Sequence, residues 1–514
     1  MTLLRCFVDL RSLRLFGLGL LQAALATLLT SSHLVAADAP LQVGVAQVEI
    51  TPPLGFPMAG YYHERLATAT HDPLWAKAIV FRDGPTSAAW VACDLTGVAI
   101  DLSTEVRRKA AEKTGIPYEN IVVSATHSHT APDYTRSLYR YLGPAAELVT
   151  ETDKKRAEYA GQLIDRTAQA IVDAHKAATP AELRSGSATQ TVPVSYSRRF
   201  VMRDGSIQTW VGLKHPQALR CANPIDPEIG LLEVVRASDQ AKTGLVSNFA
   251  LHLDTVGGLE WSADYPHGIE QSVQKSLGTA AVSLFGTGCC GDINHADPTG
   301  TVRRRGPEIG AALGETIVAK LPELTPVTST QLQARSRTVP LRLQPVTPAE
   351  VQESLALVRK AQAGETVEFL KHVAAYKALV LDQLQNKPPV VKADDVLSLG
   401  LSRQWGSIGE TIPAEVNVFT VGSDVAIVFL PGEVFVELGL AIKQASPFRT
   451  TLIVELSQSV ETVYIPTRAG SVGGGYEPTN SFVERGSGER LVEAALTLLR
   501  ESAAALQVPA TAAK

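Results

Sequence analysis

Between residues 76 and 133 the chain changes hydrophobic period twice, and this constrains its fold more than any other feature. Residues 76–82 and 88–94 read as strands, 103–114 as a helix charged on one side with Ser103 as its cap, and Ile121 to Val123 as a short buried strand. Strand, helix, strand in that order implies an α/β layer with a crossover. The last strand runs into Ser124-Ala-Thr-His-Ser-His-Thr-Ala-Pro-Asp133. His127 and His129 therefore follow its C-terminal end, where α/β sheets usually place their chemistry. A two-residue spacing on extended backbone turns both imidazoles to one side, so they can share a metal, or a metal and a substrate. A surface His-x-His in a loop accounts equally well for these residues alone.

The same alternation continues along the chain. Residues 43–53 form a half-buried strand stopped by Pro52 and Pro53, and 152–176 a long amphipathic helix. Strand-like segments follow around 190–195, 207–211 and 230–235. The apolar run 245–253 ends at His252. Residues 269–277 and 306–320 read as helices, and Gly286, Gly288 and Gly291 between them allow close backbone approach. Two helices at 348–363 and 366–385, split by Gly364, read as a helical hairpin inserted at about 348–386. Strands resume at 415–420 and 424–429, and Pro431-Gly-Glu433 reads as a helix start. A strand at 451–455, a glycine-rich loop at 470–475 and a helix at 488–506 complete the pattern. The expected fold is mixed α/β (α+β): a single large layered domain, 38–514, with mixed sheets flanked by helices.

A formal net charge of −5 and the lack of a Lys/Arg block beyond the N-terminal segment exclude nucleic acid as a partner. In that segment Arg5, Arg11 and Arg14 precede an apolar run at 15–29, with Val35 and Ala37 at small-residue positions. Residues 1–37 thus read as a signal peptide cleaved after Ala37, which predicts export to the periplasm or medium. Cys6 leaves with it. Cys93, Cys221, Cys289 and Cys290 are too few for a disulfide scaffold, but one bridge from Cys221 to Cys289 or Cys290 is compatible with export.

His127, His129, His252 and Glu433 each stand at a strand end or helix start. Imidazoles and one carboxylate suit a catalytic zinc with a position left for water. Each also has a plain structural role: His252 as a hydrogen-bonded core residue, Glu433 as a helix-dipole partner. Spacings above a hundred residues are not a specific metal signature.

Six motifs in order resemble the neutral/alkaline non-lysosomal ceramidase family. They are Glu49-Ile-Thr-Pro-Pro with Pro57-Met-Ala-Gly-Tyr61; Ala125-Thr-His-Ser-His129; Asn248-Phe-Ala-Leu-His252; Gly291-Asp-Ile-Asn294; Leu430-Pro-Gly-Glu433; and Tyr464-Ile-Pro-Thr467 with Tyr476-Glu477. The resemblance covers the family's catalytic domain, without its C-terminal β-sandwich domain. It implies a zinc amidase acting on the N-acyl bond of a ceramide-like lipid by attack of zinc-bound hydroxide. It also implies one Zn²⁺ held by His127, His252, Glu433 and Tyr464, with His129 beside the metal and Arg198 (or its neighbour Arg199) and Tyr476 near the amide oxygen. Asn294 stands where the family carries a serine. An amide cannot be a nucleophile, though it can donate to an oxyanion.

The expected protein is an exported zinc amidohydrolase with a lipid or small N-acyl substrate and a peripheral membrane contact. The alternatives are a zinc esterase or amidase on a non-sphingolipid substrate, and an inactive zinc-containing binding protein.

Overall fold

Pairs of parallel strands, each closed by a helix, organise the protein, which is described by a computed structural model over residues 40–135, 151–387 and 407–506. The expected leader, 1–37, lies outside these residues. The main sheet contains β1 (Gln42–Glu49), β2 (Trp75–Asp83), β3 (Thr86–Cys93), β4 (Ile121–Ala125), β5 (Thr179–Thr189), β6 (Glu228–Arg236), β7 (Lys242–Phe249) and β8 (Val282–Thr287). Their spatial order is β8-β7-β6-β5-β1-β2-β3-β4. All neighbours are antiparallel except β3/β4 and β7/β8. Helices α1 (Ile100–Thr114) and α3 (Tyr265–Leu277) are the crossovers of those pairs; α2 (Glu151–Ala177) and α4 (Gly306–Lys320) pack beside them.

A second sheet has the order β9 (Leu332–Arg342), β10 (Thr411–Val421), β11 (Val425–Phe429), β12 (Thr450–Val454). Its last pair is parallel and is bridged by α7 (Val436–Ala445). Helices α5 (Pro348–Gln362) and α6 (Phe369–Asn386) form the expected hairpin, and α8 (Ser487–Ala505) lies across β9 and β10.

Strand periodicity explains the layering. On β2, Ile79 and Phe81 face Phe419, Phe429 and Leu452 of the second sheet, while Ala76, Ala78 and Val80 face Leu163, Ile171 and Val106 of the helices. Trp90 is fully buried between the sheets. Its indole N–H donates to Ser124 Oγ at 2.8 Å, joining β3 to β4 as it packs edge-on to Phe429. The second sheet's outer face buries Val416, Val418 and Val428 against Leu379, Leu491 and Leu498. The layers are helix, sheet, sheet, helix, the expected mixed α/β class.

Several boundaries differ from expectation. Helix α1 begins at Ile100 with Ala99 as N-cap, and the Ser103 hydroxyl instead donates to Ile100 O and Gln458 O. Residues 190–195 are not a strand; β5 ends at Thr189. The helix expected at Glu433 begins at Val436, because Glu433–Val434 pairs in parallel with Tyr464–Ile465. All four cysteines among the described residues are free, so the Cys221 bridge does not form.

Arg107 of α1 is buried and binds Glu415 of β10 through two hydrogen bonds of 2.9 Å. Arg107→Ala leaves a partly buried carboxylate unpaired and is expected to cost about 2–3 kcal/mol, read from a denaturant melt.

Candidate metal centre and cavity

The C-terminal ends of β4, β7 and β11 converge, and each delivers one side chain. After β4 the backbone turns through a left-handed residue, His127 (φ 78°), a conformation that costs a non-glycine residue about 1–3 kcal/mol and gathers at functional sites. His127 Nδ1 meets Thr96 O at 2.6 Å. Past β7, His252 Nδ1 meets Cys290 O at 3.0 Å. A carbonyl only accepts, so each Nδ1 carries a proton and Nε2 is the atom each ring turns toward the site. Those two Nε2 atoms face each other at 3.0 Å.

Glu433 enters from the third strand end. Its Oε2 is buried, has no hydrogen-bond donor, and stands 3.4 and 3.5 Å from the same two nitrogens. Burial would raise the Glu433 carboxyl, but His127 and Arg198 hold it below the usual carboxylate range. Burial, and Arg198 after it, keeps the His252 imidazole well below its ordinary value. Burial also acts to lower His127, but Glu433 outweighs it and the ring ends above. Two opposed imidazole nitrogens and an orphaned carboxylate oxygen are the donor types a zinc ion takes, so the residues fit the implied metal.

The remaining expected residues are distributed unevenly. His129 Nε2 lies 3.4 Å from His127 Nε2, and His127, His129 and His252 form a group able to hold a metal. Burial, then His127, pushes His129 down to about 4, so it is neutral at pH 7. Tyr464 lies beside Glu433 on the paired strand, and its hydroxyl accepts from Arg198 Nη2 at 3.0 Å. Arg198 is buried with its donors committed: Nε to Glu477 at 2.8 Å, Nη2 also to Gly291 O at 2.7 Å, and Nη1 to His252 Nε2 at 3.3 Å. Arg199 turns away, to Gly470 O and Gly474 O. Asn294 Oδ1 accepts from Ala296 N at 3.1 Å. Neither Arg198 nor Asn294 lines the cavity; His127, His129, Glu433, Tyr464 and Tyr476 do.

That cavity measures about 420 Å³, within the range of small-ligand sites. Met58, Val460, Val463 and Phe482 make its wall apolar, and α6 adds Tyr376. Phe369 of α6 stacks on Tyr476 at 5.7 Å and meets Tyr62 edge-on at 5.6 Å. The hairpin thus contributes aromatic surface to the cavity and to its rim.

Three features were not found from sequence. Glu455 accepts from Val434 N at 2.6 Å and from Cys290 Sγ at 3.0 Å, tying the Glu433 segment to the carbonyl that holds His252. Glu477 binds both Arg198 and Arg199. The segment after β12 takes left-handed backbone at Leu456, Gln458 and Val463. It bonds Ala125 N and Val123 O on one side, and Gly432 N and Glu433 N on the other, so one buried loop joins the His127 strand to the Glu433 strand. Its polar residues give no sequence sign of burial beyond the lack of glycine and proline.

Residues 41–257 match the family model described as neutral/alkaline non-lysosomal ceramidase, N-terminal. The crystal structure of neutral ceramidase from Pseudomonas aeruginosa is similar, with TM-score 0.65, 18% identity, and coverage of 93% of this chain and 76% of that one. A ceramidase complexed with C2 matches at the same TM-score and identity, over 93% and 77%. At this identity the likeness shows the fold. A search of curated proteins gives no match. The resemblance is borne out by the family match over residues 41–257, which holds the first three of the six motifs, and by the shared fold.

Proposed function

We propose, from the premise that residues 41–257 belong to the neutral/alkaline non-lysosomal ceramidase family, that this protein is a zinc amidohydrolase cleaving the N-acyl bond of a ceramide-like lipid. The observation that carries this reading is the pair of Nε2 atoms 3.0 Å apart beside an unpartnered Glu433 oxygen. His127, His252, Glu433 and Tyr464 would hold the ion. When bound, zinc would polarise the acyl carbonyl and bring the pKa of water to about 7.

The chain's own groups supply the rest. His129, neutral at pH 7 and open to the cavity, takes a proton from the attacking water and returns it to the departing amine. The Tyr476 hydroxyl donates to the acyl oxygen as charge builds on it. Arg198 acts through Tyr464, holding the phenol oxygen toward the site. Asn294 receives no catalytic step, because its side chain serves the local backbone. The apolar wall and the aromatic hairpin favour a long-chain acyl or amine substituent. No described helix is long and apolar enough to cross a membrane. We further propose export after cleavage at Ala37, which N-terminal sequencing of the mature protein tests by finding Asp38 first.

Chelation tests the metal's part. Stripping zinc is expected to abolish hydrolysis of an N-acylsphingosine, and added zinc to restore it. The thermal midpoint should fall as well, since an ion held at a hundred times its dissociation constant contributes about 2.7 kcal/mol. Full activity in stripped protein contradicts the proposal.

A further inference from the structure

Exposed apolar side chains are unevenly placed on this protein. Among the described residues the large ones, Tyr118 excepted, come from a few loops that meet outside the cavity. On one side stand Leu54 (58% exposed), Tyr61 (48%), Leu66 (46%) and Leu259 (41%). Tyr61 also lines the cavity, so the cavity opens beside it. Leu66 pairs opposite Pro57, and the Arg65 guanidinium lies 4.1 Å over the Tyr61 ring while donating to Gly258 O at 3.1 Å. On the other side stand Trp210, Phe369, Leu370 and Val472. The Trp210 ring is 4.8 Å from that of Tyr476 and 6.5 Å from that of Phe369, and the Val472 loop reaches Ile207 N through Gly473 O at 2.8 Å. Phe369 meets Tyr62 edge-on, which joins the two sides. Leu213 N donates to Pro298 O at 2.7 Å, adding the loop that carries Val302. A contiguous apolar face of this kind marks an interaction surface.

Charge says what would cover it. Four of these apolar residues are each followed at once by an exposed base: Leu213-Lys214, Leu219-Arg220, Val302-Arg303 and Leu370-Lys371. The acids Asp297 and Glu368 of the same loops accept from their own backbone, at Thr299 N and at Leu370 N and Lys371 N. In a chain of net charge −5, bases interleaved with exposed apolar groups on one face match an anionic bilayer. There the apolar groups enter the acyl boundary while the cations stay among the headgroups, and Trp and Tyr favour that boundary. We propose that this face docks on an anionic lipid bilayer and seats the cavity mouth against it. The choice of a bilayer over another protein rests on the lipid-amidase reading, but the test needs no turnover.

The zinc-loaded protein is sedimented with ceramide-free vesicles of phosphatidylcholine, with and without phosphatidylglycerol. The wild type is expected to bind the anionic vesicles more tightly, and less so as salt rises. Arg303→Gln with Lys371→Gln should weaken that binding more than tenfold, at about fivefold for each base removed. Leu66→Ser with Leu370→Ser, one from each side of the mouth, should weaken binding to both kinds of vesicle by about tenfold or more. Zinc content and thermal midpoint should hold in both double variants. No sedimentation of the wild type with either vesicle, equal binding to both, or unchanged binding in both variants overturns the surface. A wild-type dimer in analytical ultracentrifugation that Leu66→Ser with Leu370→Ser dissolves, without vesicle binding, assigns the face to a second copy and also overturns it. Vesicle binding as expected by a protein that hydrolyses no N-acyl amide upholds the surface and defeats the amidase reading.

Discussion

Replacing His127 with alanine is expected to empty the metal centre and abolish N-acyl hydrolysis. His127 contributes one of the two opposed Nε2 atoms and the nearest nitrogen to the orphaned Glu433 oxygen, at 3.4 Å. Without it His252 Nε2 keeps Arg198 and Glu433 Oε2, 3.5 Å away, and Glu433 loses the neighbour that most depresses its pKa. Losing an outer-shell partner of a metal ligand costs about 10–100-fold in affinity or activity, and losing the ligand itself should exceed that. Zinc per chain by atomic emission and kcat/KM for an N-acylsphingosine are the measurements. His129→Ala is the informative companion. It should retain zinc while losing turnover, since His129 is assigned to proton transfer. Loss of zinc in His129→Ala, with retention in His127→Ala, would exchange the two roles.

Gly432→Ala is expected to be the most damaging single-methyl change next to the site. Gly432 has φ 70°, and a Cβ there would lie on Thr462 Oγ1 and 2.7 Å from Val463 O. Left-handed backbone costs an ordinary residue about 1–2 kcal/mol, and overpacking against fixed backbone a further 1–3 kcal/mol, so about 2–5 kcal/mol is expected in denaturant unfolding. Gly364 provides the control. Its φ is 83°, but nothing lies within 4 Å of its would-be Cβ, so alanine there should cost only the backbone part. Equal effects at both positions would show that the buried loop yields freely, and that it does not fix Glu433.

What was legible in the sequence follows from periodicity and position. Strands β2, β3 and β4 declare themselves because they are apolar on both faces, and helices α2 to α6 because their stripes are long. Strand β5 escaped notice because its residues alternate small and polar, with Ala181 and Leu183 the fully buried apolar ones. Strand β9 was missed for a similar reason: residues 335–338 are partly or fully exposed and polar, and only its pairing with β10 along eleven residues shows it as a strand. His127 and His252 could be placed at strand ends from the sequence, since a buried run followed by small polar residues marks such an end. Glu433 was placed on a helix because Pro-Gly-Glu resembles a helix start; its pairing with Tyr464, thirty-one residues on, is a long-range contact that local pattern does not encode. Tyr464 came only through the family resemblance. Glu455, Glu461 and Gln458 were invisible as interior residues. Their burial depends on carboxylate and amide groups finding backbone partners in β4, α1 and the Glu433 segment, and composition argues for the surface.

The central claim is that one zinc ion sits between His127 and His252, completed by Glu433 and Tyr464. Anomalous scattering at the zinc edge from crystals of the purified protein tests it most directly. The account predicts a single strong peak about 2.0–2.2 Å from His127 Nε2, His252 Nε2, a Glu433 carboxylate oxygen and Tyr464 Oη, with His129 outside bonding distance. No peak between the two histidines in an active crystal, or a peak bound by His129 with Tyr464 left out, would contradict it.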